Sequence, residues 1–209
     1  SSDLVVSVTE ADHIGIGVET LSEAAEFAQG ILMVRGTPAH AGQGSSLEEG
    51  VAKGLDERYH NVIKAGKGKF CFKGLRRYEF QGVTLNAWHH INGGSTMAAR
   101  NSTLARVTVE HMAQCGGRGL RACDYLFRAH KHQASDTGMA YKTRGVVLPA
   151  WQLPTEFVNK FAPDAEPSVG TAFLEIYSDG SHHLEVIRYP AIKNIEHEKV
   201  ISKTEKVIA

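Results

Sequence analysis

The sequence predicts an α/β fold, a layered sandwich in which mixed β-sheets are flanked by helices. In the first half of the chain, short apolar segments of strand type alternate with longer segments of helical periodicity, which is typical of α/β units. The second half consists mainly of strand segments joined by turns, which adds antiparallel pairs. No internal repeat or long linker interrupts this pattern, so residues 1–209 are predicted to form a single domain.

The elements of the first half alternate between strand and helix. In order, they are a strand at 3–8, a helix at 20–30, a strand at 31–36 and a helix at 46–60. Both strands are short apolar runs, as expected of buried strands. Thr20 and Glu23 have the spacing of a capping box, and Gly30 marks the end of that helix. The second helix is polar and contains two glycines, which weaken a helix.

The elements of the second half are mainly strands around one long helix. In order, they are a strand–turn–strand segment at 69–90, a helix at 96–114, and strand segments at 123–130, 145–153 and 171–189. Gly116 and Gly117 close the helix, and the last segment is a hairpin that turns at Ser178–Gly180.

The composition excludes several classes of protein. Lys and Arg total 23, as do Asp and Glu, so no global charge attracts nucleic acid or anionic membranes. No stretch approaches the roughly 18 apolar residues of a membrane helix, and the first residues do not resemble a signal peptide. The 3 cysteines lack CxxC spacing, so we expect them to be reduced in a cytoplasmic protein. The composition indicates no oligomeric state.

Histidines follow three of the predicted strands at the point where each strand ends. These residues are His40, His89, His90, His130 and His132. In open α/β sheets, ligands bind beyond the carboxyl ends of the strands, and histidine is the commonest metal ligand. Alternate strand residues point the same way, so both rings of the H-x-H pair could reach one centre. The pattern predicts a metal site.

The order of these motifs resembles that of the calcineurin-like metallophosphoesterases. That family carries D-x-H, G-D-x-x-D, G-N-H-D/E, a strand-end histidine and G-H-x-H. Over residues 31–190, VRGTPAHAG (34–42) resembles the third block, AWHH (87–90) the fourth, and RAHKH (128–132) the last, with Ala129 in place of glycine. The combination is particularly similar to phage-encoded members, for which the host cytoplasm would be the location.

The resemblance implies a metal-dependent phosphoesterase that hydrolyses phosphomonoesters or phosphodiesters, including nucleotides or nucleic acid. One or two divalent ions (Mn, Zn, Fe or Mg) would be the cofactors. The implied metal ligands are His130, His132 and either His89 or His90, because neighbouring strand residues face opposite ways. His40 would act as a general acid or phosphate contact, and Arg35 would stabilise developing charge on the phosphate.

The first two blocks of the family depart from its pattern. D-x-H is absent from residues 1–209, and residues 9–15 (TEADHIG) stand where G-D-x-x-D is expected. Asp12, Glu10 or His13 could substitute as a ligand, although none has the family spacing. Three interpretations remain open: a fragment that lacks the first strand, a member that keeps one metal site, and a member that keeps the fold without the activity. We expect fewer than two bound metals and weak or no hydrolysis.

Two further interpretations compete with this one. A metallo-β-lactamase-like hydrolase is the first, but it requires H-x-H-x-D-H, and Asp136 lies two residues too far along the chain. The second is a non-catalytic member of the phosphoesterase fold with a binding or assembly role. The basic segment at 64–77 could track a nucleic-acid backbone, or it could be a solvated surface of a neutral protein.

Overall fold

The structure of the chain is a computed structural model that describes residues 9–37, 46–91, 97–151 and 168–189. The predicted strand at 3–8 and His40 lie outside the described residues. The elements are α1 Glu10–Phe27, β1 Met33–Val34, α2 Ser46–Tyr59, β2 Cys71–Phe72, β3 Leu75–Phe80, β4 Val83–Trp88, α3 Met97–Gly116, β5 Tyr125–Arg128, β6 Ser135–Asp136, β7 Arg144–Val147, β8 Val169–Ile176 and β9 His182–Tyr189. The predicted α/β class, with mixed sheets and helices, is confirmed.

The largest sheet has five strands in the order β3-β4-β5-β7-β6. Strands β4, β5 and β7 run parallel, whereas β3 and β6 are antiparallel to their neighbours. The carboxyl ends of the three parallel strands therefore meet at one edge, near Trp88, Arg128 and Val147. This edge is where an α/β sheet binds ligands.

Helix α3 covers one face of this sheet, and the β8–β9 hairpin covers the other. On the helix side, Leu104 packs with Val147, and an added Cβ at Gly145 would overlap the Thr108 hydroxyl. On the hairpin side, Leu184 joins a separate buried cluster with Tyr125. Strand β7 therefore has buried residues on both of its faces, Val146 towards the hairpin and Val147 towards the helix. The prediction of helices on the faces of the sheet holds for one face, since a hairpin covers the other.

Helices α1 and α2 form a separate layer with a core of their own. Its buried residues are Val18, Ala25, Val51, Ala52, Leu55, Val62 and Cys71. The two helices approach closely at glycines: a Cβ at Gly17 would lie 2.6 Å from a methyl of Val51, and one at Gly54 would lie 2.7 Å from Val18. The glycines that weakened the helix prediction for α2 are therefore the residues that allow α1 to pack against it.

The predicted start of α1 is wrong, because the sequence pattern placed it at Thr20. The helix begins at Glu10, because Thr9 and Asp12 form the capping box. Thr20 lies inside the helix, where its hydroxyl donates to the carbonyl of Ile16 at 2.7 Å. Among the described residues, no helix is both long and apolar enough to cross a membrane.

Strands β1, β4 and β5 differ from the expectation in ways that affect the predicted site. β1 pairs in parallel with β2 in a separate two-stranded sheet. The carboxyl end of β1 therefore does not belong to the edge formed by β4, β5 and β7. β4 ends at Trp88 and β5 ends at Arg128, so the histidines that follow them lie in loops.

Candidate functional site

Three of the predicted histidines come together beyond the ends of β4 and β5. The Nε2 atom of His89 lies 3.3 Å from the Nδ1 atom of His130. The His90 ring centroid lies 4.7 Å from that of His130. The backbone N–H of Ala129 donates to the carbonyl of His89 at 3.0 Å, which fixes the two loops side by side. The parallel pairing of β4 with β5 explains why these side chains meet.

The geometry corrects the strand-alternation argument. Both His89 and His90 lie against His130, which neighbouring residues of one regular strand could not do. The expectation that only one of them binds a metal directly stays a prediction. His89 and His130 are half-buried, whereas His90 is exposed.

The loop after β5 has an unusual backbone at both histidines of the H-x-H pair. His130 has φ 72° and His132 has φ 53°, in the left-handed region that residues other than glycine rarely adopt. Such conformations cost about 1–3 kcal/mol and cluster at functional sites. The carbonyl of His132 accepts a hydrogen bond from the N–H of Ser168 at 2.8 Å, which ties this loop to the start of β8. Because the two residues are not in a strand, alternation does not fix the direction of the His132 ring.

The His89–His130 nitrogen pair has a spacing that suits one metal ion. Two ligands of a tetrahedral ion with bonds of about 2.0–2.1 Å lie roughly 3.3–3.4 Å apart. The observed separation of 3.3 Å matches this value, and it also allows one ring to donate a hydrogen bond to the other. Within the described residues, no group of three or more His, Cys, Asp or Glu side chains is arranged to hold a metal. The pair thus matches two ligands of one ion in its nitrogen–nitrogen distance alone.

Asp12 has a structural role at the beginning of α1. Its carboxylate accepts hydrogen bonds from the backbone N–H of Thr9 at 2.8 Å and from the Thr9 hydroxyl at 2.6 Å. These hydrogen bonds lower the pKa of Asp12 below its usual value. The sequence assigned no helix or strand to residues 9–19, whereas Asp12 occupies the third position of α1. Its role as a metal ligand stays a prediction.

Arg35 directly follows β1, at the end of the separate two-stranded sheet. Its N–H donates to the carbonyl of Phe72 at 3.0 Å, and the next N–H, at Gly36, donates to the carboxylate of Glu48 at 2.9 Å. The argument that strand ends share one sheet edge does not extend to Arg35. Its contact with a substrate phosphate stays a prediction, as does the role of His40.

Sequence reasoning missed Arg128, the last residue of β5. Its side chain is 8 % exposed, and its Nη1 atom donates to the Asn86 Oδ1 atom at 2.9 Å and to the Phe127 carbonyl at 2.7 Å. Burial lowers the pKa of Arg128 to about 10. The signal was present in the sequence, since YLFR (125–128) ends an apolar strand with a charged residue.

Comparison of the chain with protein-family models and with curated proteins gave no match.

Proposed function

We propose that this protein is a metal-dependent phosphoesterase whose centre includes His89 and His130. The observation that carries the proposal is the 3.3 Å separation of their ring nitrogens at the carboxyl edge of parallel strands. This edge is the usual ligand site of an α/β sheet, and imidazole suits the transition metals that such enzymes use. The left-handed backbone at His130 supports it, since strained residues cluster at functional sites.

Each residue has a distinct task in the proposed reaction. His89 and His130 hold the metal, with His132 or His90 as a further ligand. A bound divalent ion would supply Lewis-acid polarisation of a phosphoryl oxygen. A water molecule would attack the phosphorus and lose a proton to solvent as the bond to the leaving oxygen breaks. His40 donates a proton to that leaving oxygen, and Arg35 contacts the phosphate. The substrate class is a phosphomonoester or phosphodiester, with nucleotides and nucleic acid as the first to test, and the proposed location is the cytoplasm.

Metal retention and hydrolysis test the proposal together. Purified protein would be dialysed against excess manganese, analysed for bound metal, and assayed with p-nitrophenyl phosphate and bis(p-nitrophenyl) phosphate. We expect fewer than two ions per chain. Replacing even an outer partner of a metal ligand weakens binding about 10–100-fold, so His89→Ala and His130→Ala should each lose at least as much. His183→Ala is the matched control, because His183 is an exposed residue of β9.

The outcomes separate the roles. Equal metal content in His89→Ala and His183→Ala would show that the ring pair is a hydrogen bond and not a metal centre. His40→Ala should reduce turnover much more than metal content. If it removes both equally, His40 is a ligand and the proton donor must be another group.

A non-catalytic binding role is the second candidate, and one observation favours it. The segment that stands where the family carries G-D-x-x-D is the start of a helix, with Asp12 engaged in its capping box. Metal that is retained without hydrolysis of either substrate would support this candidate over the enzyme.

A further inference from the structure

A cavity of about 530 Å³ lies between α3 and the part of the large sheet formed by β3, β4 and β5. Trp88 and Arg128, the last residues of β4 and β5, both line it. None of the described histidines proposed as metal ligands lies in its wall. We call this cavity the arginine groove. Its volume is in the range of small-molecule sites, roughly 300–1,000 Å³.

The groove has a strong local positive charge in a protein whose charges balance. Four arginines line it: Arg76, Arg77, Arg118 and Arg128. The one carboxylate in the described wall is that of Glu110, which already pairs with Arg106 at 3.1 Å. Within the described part of the chain, none of the four arginines lies within 4.0 Å of a carboxylate. The charge is therefore available to a ligand.

Arg128 is the residue that indicates a built site. More than nine-tenths of its surface is buried, and both of its hydrogen bonds use the same nitrogen, Nη1. Among the described residues, its Nη2 and Nε atoms have no acceptor, although Arg128 lines the groove. Burying a charge without an ionic partner is costly. An anion in the groove would offset that cost and accept hydrogen bonds from the Nη2 and Nε atoms of the guanidinium.

The groove also has an apolar wall. Trp88 and Val107 line it, and Gly74 packs directly against the indole ring, so that a Cβ there would overlap it. The ring is thus held by its neighbours. Planar groups of ligands stack on such rings, and base–aromatic stacking contributes measurably to nucleotide binding.

We propose that the arginine groove binds a nucleoside monophosphate, with the phosphate on Arg128 and its neighbouring arginines and the base against Trp88. The four arginines suit the phosphate, the indole suits the base, and the cavity volume suits a ligand of this size. This site is separate from the histidine pair and does not depend on the proposed metal centre.

Calorimetric titration of the whole chain in EDTA at low salt tests the proposal, with AMP, ribose 5-phosphate, inorganic phosphate and adenosine as ligands. We expect saturable AMP binding, weaker binding of ribose 5-phosphate and of inorganic phosphate, and none of adenosine. Arg76→Ala and Arg118→Ala should each weaken AMP about tenfold or more, since a charged hydrogen bond is lost. Both residues are exposed, so these variants should fold. Arg58→Ala, an exposed arginine of α2, is the matched control.

Three results would overturn the assignment. The proposed site is wrong if AMP does not bind, or if the Arg76 and Arg118 variants bind AMP with the same affinity as the Arg58→Ala control. Equal affinity for AMP and ribose 5-phosphate removes the contact with Trp88. AMP binding that is lost in His89→Ala shows that the groove is not separate from the histidine pair. AMP binding that persists in that variant supports the groove even if the metal centre fails its own test.

Discussion

Gly17→Ala tests the close packing of α1 on α2. An alanine methyl at this position would lie 2.6 Å from a Cγ atom of Val51, well inside van der Waals contact. Val51 is itself only 9 % exposed, and β-branched side chains in helices have one strongly preferred rotamer. Relief of the contact therefore requires either a less favourable rotamer of Val51 or separation of the helices.

Two opposing effects set the expected size of the change. Alanine is better than glycine in a helix interior by about 0.8–1.0 kcal/mol. Overpacking a core costs about 1–3 kcal/mol. Gly17→Ala should therefore lower the free energy of unfolding by about 0–2 kcal/mol. Gly15→Ala is the matched control in the same helix, because a Cβ there has nothing within 4 Å. Gly15→Ala should therefore raise the free energy of unfolding by the difference in helix propensity alone.

The assay is urea unfolding of both variants beside the unmodified protein, with the midpoints compared at constant slope. The two substitutions should differ by about 1–3 kcal/mol. In a Val51→Ala background the methyl has room, so Gly17→Ala should become as favourable as Gly15→Ala. If Gly17→Ala stabilises the unmodified protein as much as Gly15→Ala does, the helices are not in contact there and the reasoning is refuted.

Two further predictions concern the groove. Burial, together with the charges of Arg128 and Arg77, lowers the pKa of His111 below 6.5, so the folded state resists its protonation. The free energy of unfolding should therefore be highest above pH 6.5 and fall as the pH drops through the lowered pKa. In the His111→Gln variant, urea unfolding should show a smaller decrease in the free energy of unfolding between about pH 7 and 5. An unchanged dependence on pH would contradict this role of His111. Gly74→Ala should displace Trp88, cost about 1–3 kcal/mol of stability and weaken AMP binding; calorimetry that gives wild-type AMP affinity in a folded variant would contradict it.

Local signals in the sequence predicted most helices and strands, and they failed where two signals competed. The pairs Thr9–Asp12 and Thr20–Glu23 both have capping-box spacing, and only the first is used. The spacing of a capping box shows where a helix can begin. It does not show whether the residues before it are themselves helical. Ile14 and Val18 continue the apolar spacing of a helix towards the N-terminus, which favours the start at Glu10 over the start at Thr20.

Strand pairing limited the prediction of the site. His130, His132 and one of His89 and His90 were predicted to converge. In the structure both His89 and His90 lie against His130, because β4 and β5 are parallel neighbours. The pairing of β1 with β2 could not be predicted, since apolar runs of similar composition do not specify their partners. The arginine groove was missed for the same reason. Arg76 and Arg118 come from elements that only the tertiary fold brings together.

The separate core of α1 and α2 has a consequence for how the chain folds during synthesis. The buried residues of that core lie between Val18 and Cys71, and it shares none of them with the cores around the large sheet. Its contacts are local in sequence, so it can form early on the ribosome. The large sheet must wait for β7 at Arg144–Val147, because that strand lies between β5 and β6. The first layer can thus protect its own apolar surface from aggregation while the last strands of the large sheet are still being translated.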